Sequence, residues 1–311
     1  MREIGVRSDD VGIVKLRGEY RYEHLIEDIG HLREKYNFVK VTCIGKSVME
    51  RTIPCVELGE GKHKIVVNAA MHANEWITAP CVLRFLECYA AAIADGKRLQ
   101  GREPGRWLQD VTLSVVPMVN PDGVELAIAG AGDDHPERHN LLKWNQKSTD
   151  FSSWKANIRG IDLNDQFPAY WQDELHRRGM TGPGPRDYGG PEPLSEPEAR
   201  ALVDWTRRLL PDMAISFHTQ GREIYWNYRD REPADSLAWG ERLASASGLR
   251  TVKLMDSDAG YKDWFILEFG RPGFTVELGE GVNPLPLHDY DSLYRETEQV
   301  LLAALSGFSE S

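Results

Sequence analysis

The chain has 311 residues, with 37 Lys and Arg against 48 Asp and Glu, so its formal net charge at pH 7 is −11. This acidic balance argues against non-specific binding to nucleic acid, which needs a clustered basic surface. With 41% apolar residues and 9 Trp the chain can bury a large core, which excludes wholesale disorder.

The pattern of apolar residues alternates between strand-like and helix-like segments. In chain order it predicts a helix over 20–36, a strand over 64–70, a helix over 78–95, a strand over 111–117, a helix over 197–210, strands over 213–217 and 274–278, and a helix over 292–306. Residues 130–160 and 179–193 are predicted to be long loops, and Ser195–Glu198 has the pattern of a capping box. This alternation predicts an α/β fold with a largely parallel sheet covered on both faces. We expect one domain over 1–311, with an N-terminal helical lead-in over 1–40.

The cysteines and the chain's hydropathy indicate a compartment. The four cysteines, Cys43, Cys55, Cys81 and Cys88, include no CxxC pair and are too few for a disulfide scaffold in a chain of this length. No apolar stretch opens the N-terminus, and no apolar run approaches the roughly 18 residues of a membrane-spanning helix. We therefore expect a cytoplasmic protein with no membrane or nucleic-acid partner; the pattern leaves the oligomeric state open.

A His and a carboxylate three residues apart can bind one zinc ion. The chain contains this spacing in three pairs: His24 and Glu27, His31 and Glu34, and His72 and Glu75. The first two pairs lie on the polar side of the helix predicted over 20–36 and are interpreted as a solvated helix face. The third pair directly follows a buried strand, where an open α/β sheet presents its site. A histidine satisfied by a local hydrogen bond is the alternative at His72.

A catalytic zinc ion needs three protein ligands and one open position. His218 closes the strand predicted over 213–217 and is the candidate third ligand, with His288 as a weaker substitute. Hydrolysis also needs a general base, and Glu277 emerges from an apolar strand whose burial would raise its pKa toward neutrality. The alternative for Glu277 is a structural ion pair.

Six segments together resemble the zinc carboxypeptidases of the carboxypeptidase A type. They are His72–Trp76, Asn120–Gly123, Gly160–Asn164, Ser195–Glu198, Ser216–His218 and Phe274–Leu278, and the resemblance covers about residues 64–280. It implies one Zn²⁺ per chain on His72, Glu75 and His218, with Glu277 as general base. It also implies a mixed, mostly parallel sheet of about eight strands flanked by helices.

The chain departs from this family where the family usually reads G-V-D-L-N-R, with the Arg gripping a terminal carboxylate. Here Asn164 is followed by Asp165, which reverses the charge. A carboxylate at this place would repel a substrate's terminal carboxylate by on the order of 1 kcal/mol or more. The departure disfavours ordinary carboxypeptidase specificity and favours a substrate group that offers a cation or hydrogen-bond donors.

Two further family positions differ. Lys155 stands where the family often has an Arg that polarises the scissile carbonyl, and it keeps the positive charge without the bidentate fork. A plain surface lysine is the alternative. No tyrosine occupies the place of the family's mobile one: Met255 has that spacing, and Tyr261 is a nearby candidate.

The run Asn164–Pro168 resembles the branch of γ-D-glutamyl-L-diamino acid endopeptidase I, which cleaves bacterial cell-wall (murein) peptides. This implies hydrolysis of the amide between D-Glu and meso-diaminopimelate or lysine. We expect Asn164 and Asp165 to place the leaving diamino acid, whose second amine is our hypothetical partner for Asp165. The alternatives are a metallocarboxypeptidase that releases C-terminal amino acids, a metal-dependent deacylase of N-acyl amino acids, and a non-catalytic zinc-binding scaffold.

Overall fold

An eight-stranded sheet with helices on both faces organises the described residues, 12–16 and 18–309, of the computed structural model. The helices are α1 (Tyr22–Lys35), α2 (Thr78–Ala94), α3 (Pro104–Asp110), α4 (Pro121–Ala129), α5 (Arg138–Trp144), α6 (Trp171–Arg178), α7 (Pro197–Leu209), α8 (Ser236–Ser247), α9 (Tyr261–Phe269) and α10 (Tyr290–Ser309). The strands are β1 (Lys40–Lys46), β2 (Thr52–Leu58), β3 (His63–Ala69), β4 (Val111–Val116), β5 (Met213–Thr219), β6 (Glu223–Tyr225), β7 (Arg250–Val252) and β8 (Gly273–Leu278).

The strand order is β1-β2-β4-β3-β5-β8-β6-β7. The four central strands, β4, β3, β5 and β8, are mutually parallel, whereas the pairs β1–β2, β2–β4 and β8–β6 are antiparallel and β6–β7 is parallel. This mixed, mostly parallel sheet of eight strands confirms the predicted fold class. The carboxyl ends of the central strands share one edge, which is where ligands bind in open α/β sheets.

Neighbouring residues of the central strand β3 enter two different cores. Ile65 and Val67 pack on the side covered by α2 and α10, while Val66 packs on the side covered by α7 and α9. All three are fully buried. Because both faces of β3 are covered, its sequence is a continuous apolar run instead of an alternating one.

The predicted helices and strands are confirmed to within a few residues of their ends, but other elements were missed. Helix α5 lies inside the predicted loop over 130–160, and the edge hairpin of β1 and β2 was not predicted. Much of β1 is exposed, and β6 and β7 have three residues each, so none of them carries a readable pattern.

The predicted capping box at Ser195–Glu198 is wrong. Helix α7 begins with Glu196 as its N-cap, and no side-chain cap hydrogen bond forms there. The Ser195 hydroxyl instead donates to Gln166 Oε1 at 3.2 Å, and the Glu196 backbone N–H donates to the same oxygen at 2.9 Å. Long-range contacts with a buried glutamine therefore replace the local cap.

The predicted lead-in over 1–40 contains α1, while residues 1–11 and 17 lie outside the described residues. The backbone N–H groups of Ile13 and Val14 donate to the Glu87 carboxylate on α2 at 2.9 and 2.8 Å. These bonds tie the start of the described chain to the core.

One helical stretch of the described residues, Ala73–Ala94, is long and apolar enough to cross a membrane by length and composition. Its 18-residue window is 89% buried inside the protein. The apolar character of this stretch is therefore accounted for by core packing.

Glu198, in the first turn of α7, is fully buried, and burial raises its pKa to about 7. The folded state thus keeps a proton that the unfolded chain loses near its ordinary pKa of 4.5, so the unfolding free energy falls as the pH rises from about 5 through 7. Relative to wild type, Glu198→Gln should be more stable at pH 8.5 than at pH 5.5 by about 2 kcal/mol. Denaturant unfolding at both pH values measures this gain, with the exposed Glu241→Gln on α8 as control. The same pH dependence in both variants would contradict the prediction.

Candidate active site and metal centre

Three potential metal ligands converge at the carboxyl ends of β3 and β5. His72 and Glu75 lie on the 3₁₀ turn that follows β3, and His218 lies near the end of β5. The His72 Nδ1 atom is 2.9 Å from Glu75 Oε1 and 3.2 Å from His218 Nδ1, which is 3.0 Å from Glu75 Oε2. Because β3 and β5 are parallel neighbours, the end of one strand comes directly beside the end of the other.

The donor set fits a zinc ion. Ligand atoms in a tetrahedral zinc site with bonds of 2.0–2.2 Å are about 3.3–3.6 Å apart, close to the separations found here. Two imidazole nitrogens that face each other at 3.2 Å are stabilised by a shared cation. The three side chains are buried, and two histidines with one glutamate are a ligand set used by catalytic zinc.

Other groups orient these ligands and give the site a preference for positive charge. The His72 Nε2 atom is 3.1 Å from Asp162 Oδ1, and Asn283 Nδ2 donates to Glu75 Oε1 at 3.3 Å. Burial lowers the pKa of His72, but the carboxylates of Glu75 and Asp162 outweigh it and raise the pKa to about 9. Asp162 belongs to the family segment Gly160–Asn164, but its contact with His72 was not predicted. The role of Asn283 was not predicted from the sequence.

Glu277 opens onto a cleft beside the three ligands. It lies on β8 directly opposite His218 in the β5–β8 register, and the cleft has a volume of ≈ 410 Å³. Burial, followed by the negative charge of Glu75, raises the pKa of Glu277 to about 8. Bound zinc would oppose this shift. The arrangement supplies a carboxylate that can exchange a proton near neutral pH.

Lys155 lines the same cleft. Its carbonyl oxygen accepts a hydrogen bond from the Ala73 backbone N–H at 3.0 Å, which ties it to the turn that carries His72 and Glu75. Burial opposes the charge of the ammonium group, but Asp162 and Glu75 prevail and raise the pKa of Lys155. Within the described residues no side chain pairs with the Lys155 ammonium group, so this cation is available to a ligand.

Asn164 and Asp165 lie on the 3₁₀ turn Leu163–Asp165 and line the cleft as well. Asn164 Oδ1 accepts a hydrogen bond from the Tyr261 backbone N–H at 3.2 Å. Asp165 is 4% exposed; burial raises the pKa of its carboxyl group, and the Arg178 guanidinium 3.3 Å away opposes this shift and favours the charged form. The structure thus brings every predicted site residue to one cleft or to the metal-ligand cluster at its side.

Three weaker candidates lie elsewhere. The His288 side chain is 82% exposed and cannot belong to the buried ligand cluster. Tyr261 is fully buried, and its hydroxyl is 2.7 Å from Thr206 Oγ1, so it is wrong as a substitute for the family's mobile tyrosine. Met255 is 66% exposed and does not line the cleft next to Glu277.

Sequence reasoning missed several charged or polar side chains that also line the cleft, among them Arg177, Arg178, Tyr225 and Lys262. The Lys262 ammonium group donates to the Asn227 carbonyl at 2.7 Å and pairs with Asp263. These residues come from a short helix, a three-residue strand and a helix start. None of those places has a local pattern that indicates a site.

Comparison with known proteins identifies the family. The sequence profile of the zinc carboxypeptidase family, Peptidase_M14, matches residues 25–299. The chain belongs to the zinc carboxypeptidase family. Its metal is therefore zinc, and the cluster of His72, Glu75 and His218 is the candidate group to hold it.

Relatives of this member of the zinc carboxypeptidase family include two bacterial proteins. The chain is 45% identical over 293 residues to γ-D-glutamyl-L-diamino acid endopeptidase 1 of Lysinibacillus sphaericus, covering 94% of this chain and 74% of the relative. It is 39% identical over 284 residues to the uncharacterised protein YqgT of Bacillus subtilis (strain 168), covering 90% and 75%. The crystal structure of thrombin-activatable fibrinolysis inhibitor shares the fold, with a TM-score of 0.76, 19% identity and coverage of 96% and 77%.

The contact between Asn283 and Glu75 is expected to tune metal affinity. Asn283→Ala removes a hydrogen bond to the Glu75 carboxylate and should weaken zinc binding by about 10-fold or more. Competition with a chelator measures this change. The exposed Asn140→Ala on α5 is the control. Equal zinc affinity in both variants would contradict the role of Asn283.

Proposed function

We propose that this zinc peptidase cleaves the amide bond between the γ-D-glutamyl group and the L-diamino acid of bacterial cell-wall peptides. The observation that carries this proposal is the 45% identity to a γ-D-glutamyl-L-diamino acid endopeptidase over 94% of the chain. That alignment spans most of the chain, and the chain has a cleft beside the metal-ligand cluster that suits such a substrate.

The charges of the cleft support a diamino acid as the released residue. Its lining includes the cations Lys155 and Lys262 and the anions Asp165 and Asp263. A diamino acid offers carboxylates to the cations of the cleft and a second amine to its anions. Lys262 and Asp263 pair with each other, and Asp165 pairs with Arg178. This charged lining suits a ligand that carries both signs of charge better than a simple apolar residue.

The metal would be held by His72, Glu75 and His218. When bound, zinc supplies a Lewis acid that lowers the pKa of water toward 7 and polarises a carbonyl oxygen. A zinc ion held there would keep a fourth position for water, as catalysis needs, and Glu277 and Lys155 line the cleft beside its ligands.

The side chains of the cleft then divide the work of hydrolysis. Glu277 accepts the proton of the attacking water and returns it to the leaving amine. The Lys155 ammonium group stabilises the negative charge that develops on the carbonyl oxygen. Asn164 and Asp165 line the part of the cleft that receives the leaving diamino acid.

A metallocarboxypeptidase that releases C-terminal amino acids is the second candidate, favoured by the family to which the chain belongs. The alternative of a metal-dependent deacylase would be recognised by its hydrolysis of N-acyl amino acids. The non-catalytic scaffold is disfavoured because a carboxylate suited to general-base work, Glu277, faces the cleft. For location we propose the cytoplasm, which is supported by four unpaired cysteines, three of them buried.

Incubation with the tripeptide L-Ala-γ-D-Glu-meso-diaminopimelate tests the proposed function. The expected products are L-Ala-D-Glu and diaminopimelate, and a chelator should stop the reaction until zinc is restored. Glu277→Gln should retain zinc while kcat falls by about 10³-fold or more, because the proton acceptor is lost. Release of C-terminal amino acids from ordinary peptides, with the tripeptide left intact, would favour the carboxypeptidase instead.

Lys155→Met is expected to lower kcat by about 10²- to 10³-fold with a smaller effect on KM, because the ammonium group acts on charge that develops in the transition state. Lys155→Arg should retain part of the activity. Steady-state kinetics on the same tripeptide measures this, with the exposed Lys143→Met on α5 as control. A fully active Lys155→Met protein would show that the Lys155 ammonium group takes no part in catalysis.

A further inference from the structure

Helix α6 places the guanidinium group of Arg178 beside Asp165, the acidic residue that replaces the family's arginine. Arg178 is the last residue of α6 and lines the cleft together with Asn164, Asp165 and Glu277. Its Nε atom is 3.3 Å from Asp165 Oδ2, and its Nη2 atom donates to Asp165 Oδ1 at 3.4 Å. The carboxylate that replaces the family's clamp arginine is therefore already paired with a cation of the same chain.

Because Asp165 is paired with Arg178, it is less suited to bind the second amine of the substrate. The residue is 4% exposed, whereas the Arg178 side chain is 36% exposed. A ligand in the cleft therefore reaches Arg178 more readily than Asp165. The Asp165 carboxylate is placed to hold the guanidinium group rather than to meet a substrate amine.

Three carboxylates from three segments surround the guanidinium group. Besides Asp165, Glu174 Oε1 on α6 lies 2.7 Å from Arg178 Nε, and Asp187 Oδ1 in the loop after α6 accepts from Nη1 at 3.2 Å. Such contacts fix a long side chain before a ligand arrives, which lowers the entropy lost on binding.

Arg178 also retains donors for a ligand. A guanidinium group has five N–H donors. Within the described part of the chain, Nη1 and Nη2 each donate once and Nε faces Glu174 and Asp165, which leaves one N–H on each Nη group. Its neighbour Arg177 is held in a similar way, with one Nη group donating to Glu174 and the other to Asp258, but it forms no hydrogen bond or ion pair with Asp165. Planar donors left over on a fixed guanidinium group match the geometry of a carboxylate.

The other cations of the cleft are less suited to this task. The Lys262 ammonium group is 4% exposed and is bound by Asp263 and the Asn227 carbonyl. Lys155 is tied through its backbone to the turn of the metal ligands and lies on that side of the cleft. Among the basic side chains that line the cleft, Arg178 alone forms an ion pair with Asp165, the residue at the place of the family's clamp arginine.

We propose that Arg178 binds the carboxylate of the residue that is released, and that Asp165 is a positioning residue that acts through Arg178. The identity of that residue rests on the proposed function. The family's arginine after Asn164 is absent from this chain, and Arg178 on α6 takes its place in the cleft. The carboxylate that Arg178 binds is the one on the carbon that carries the released amine.

Binding to a protein that cannot turn over tests this proposal without relying on activity. The protein is zinc-loaded Glu277→Gln. The ligands are the tripeptide L-Ala-γ-D-Glu-meso-diaminopimelate and the same peptide with a carboxamide in place of the carboxylate beside the scissile amide. Calorimetry should show tighter binding of the free acid by about 10- to 100-fold. With Arg178→Gln added, the preference should fall below about 3-fold, whereas added Arg207→Gln, a surface ion pair on α7, should leave it unchanged.

Two more variants separate positioning from general loss of structure. Asp165→Asn should lower the preference partly, and Arg178→Lys should keep an intermediate preference because it keeps the charge without the fork. A purely structural role would weaken both ligands equally and leave the preference as it was in every variant. That outcome would overturn the proposal even if Arg178→Gln failed to fold, because Arg178→Lys and Asp165→Asn would still report it.

The outcomes also distinguish this proposal from the proposed function. If wild type cleaves the tripeptide but the preference does not depend on Arg178, the function stands and the role of Arg178 is refuted. If the tripeptide binds with an Arg178-dependent preference but is not cleaved, the role of Arg178 stands and the function is refuted. Failure of both peptides to bind overturns both.

Discussion

The parallel pairing of β3, β5 and β8 is the constraint on which the rest of the site depends. It brings the turn after β3, which carries His72 and Glu75, beside His218, and it sets His218 opposite Glu277. Because side chains alternate between the faces of a strand, a slip of one residue in either pairing would turn one of these groups away. The apolar residues that enter both cores prevent such a slip, so the packing of the sheet fixes the geometry of the metal ligands.

Charge balance is the second organising feature. Glu75 and Asp162 make the ligand cluster favour a cation, while burial makes Glu277 retain a proton more strongly than an exposed glutamate does. One set of carboxylates is thus suited to hold the metal, and another to move a proton. The difference arises from position along the cleft and not from residue type, since the candidate ligand Glu75 and the proposed base Glu277 are both glutamates.

The sequence was sufficient to predict that His72, Glu75, His218 and Glu277 meet at one place, because each follows or ends a buried apolar strand, which is a local signal. Tyr261 was misjudged because spacing along the chain cannot show that a side chain points into the core beside Thr206. Arg178 and Asn283 were missed for a related reason: their contacts lie 13 and 208 residues away along the chain, and neither residue is in a patterned segment. Asp165 was recognised as a departure, but its neighbour in space was not visible in the sequence.

Helix α2 is joined directly to the turn that bears His72 and Glu75, and it is almost wholly buried. Helix α6, in contrast, lies outside the sheet between irregular segments and exposes most of its residues. A change in how α2 packs would shift the donor atoms of the metal, since close-packed interiors transmit small displacements. A change at α6 could alter which chemical groups the cleft accepts without such a displacement. The candidate metal ligands thus adjoin a buried helix, whereas the proposed carboxylate-binding arginine lies on an exposed one, so substitutions on α6 can change substrate preference while leaving the packing beneath the metal ligands intact.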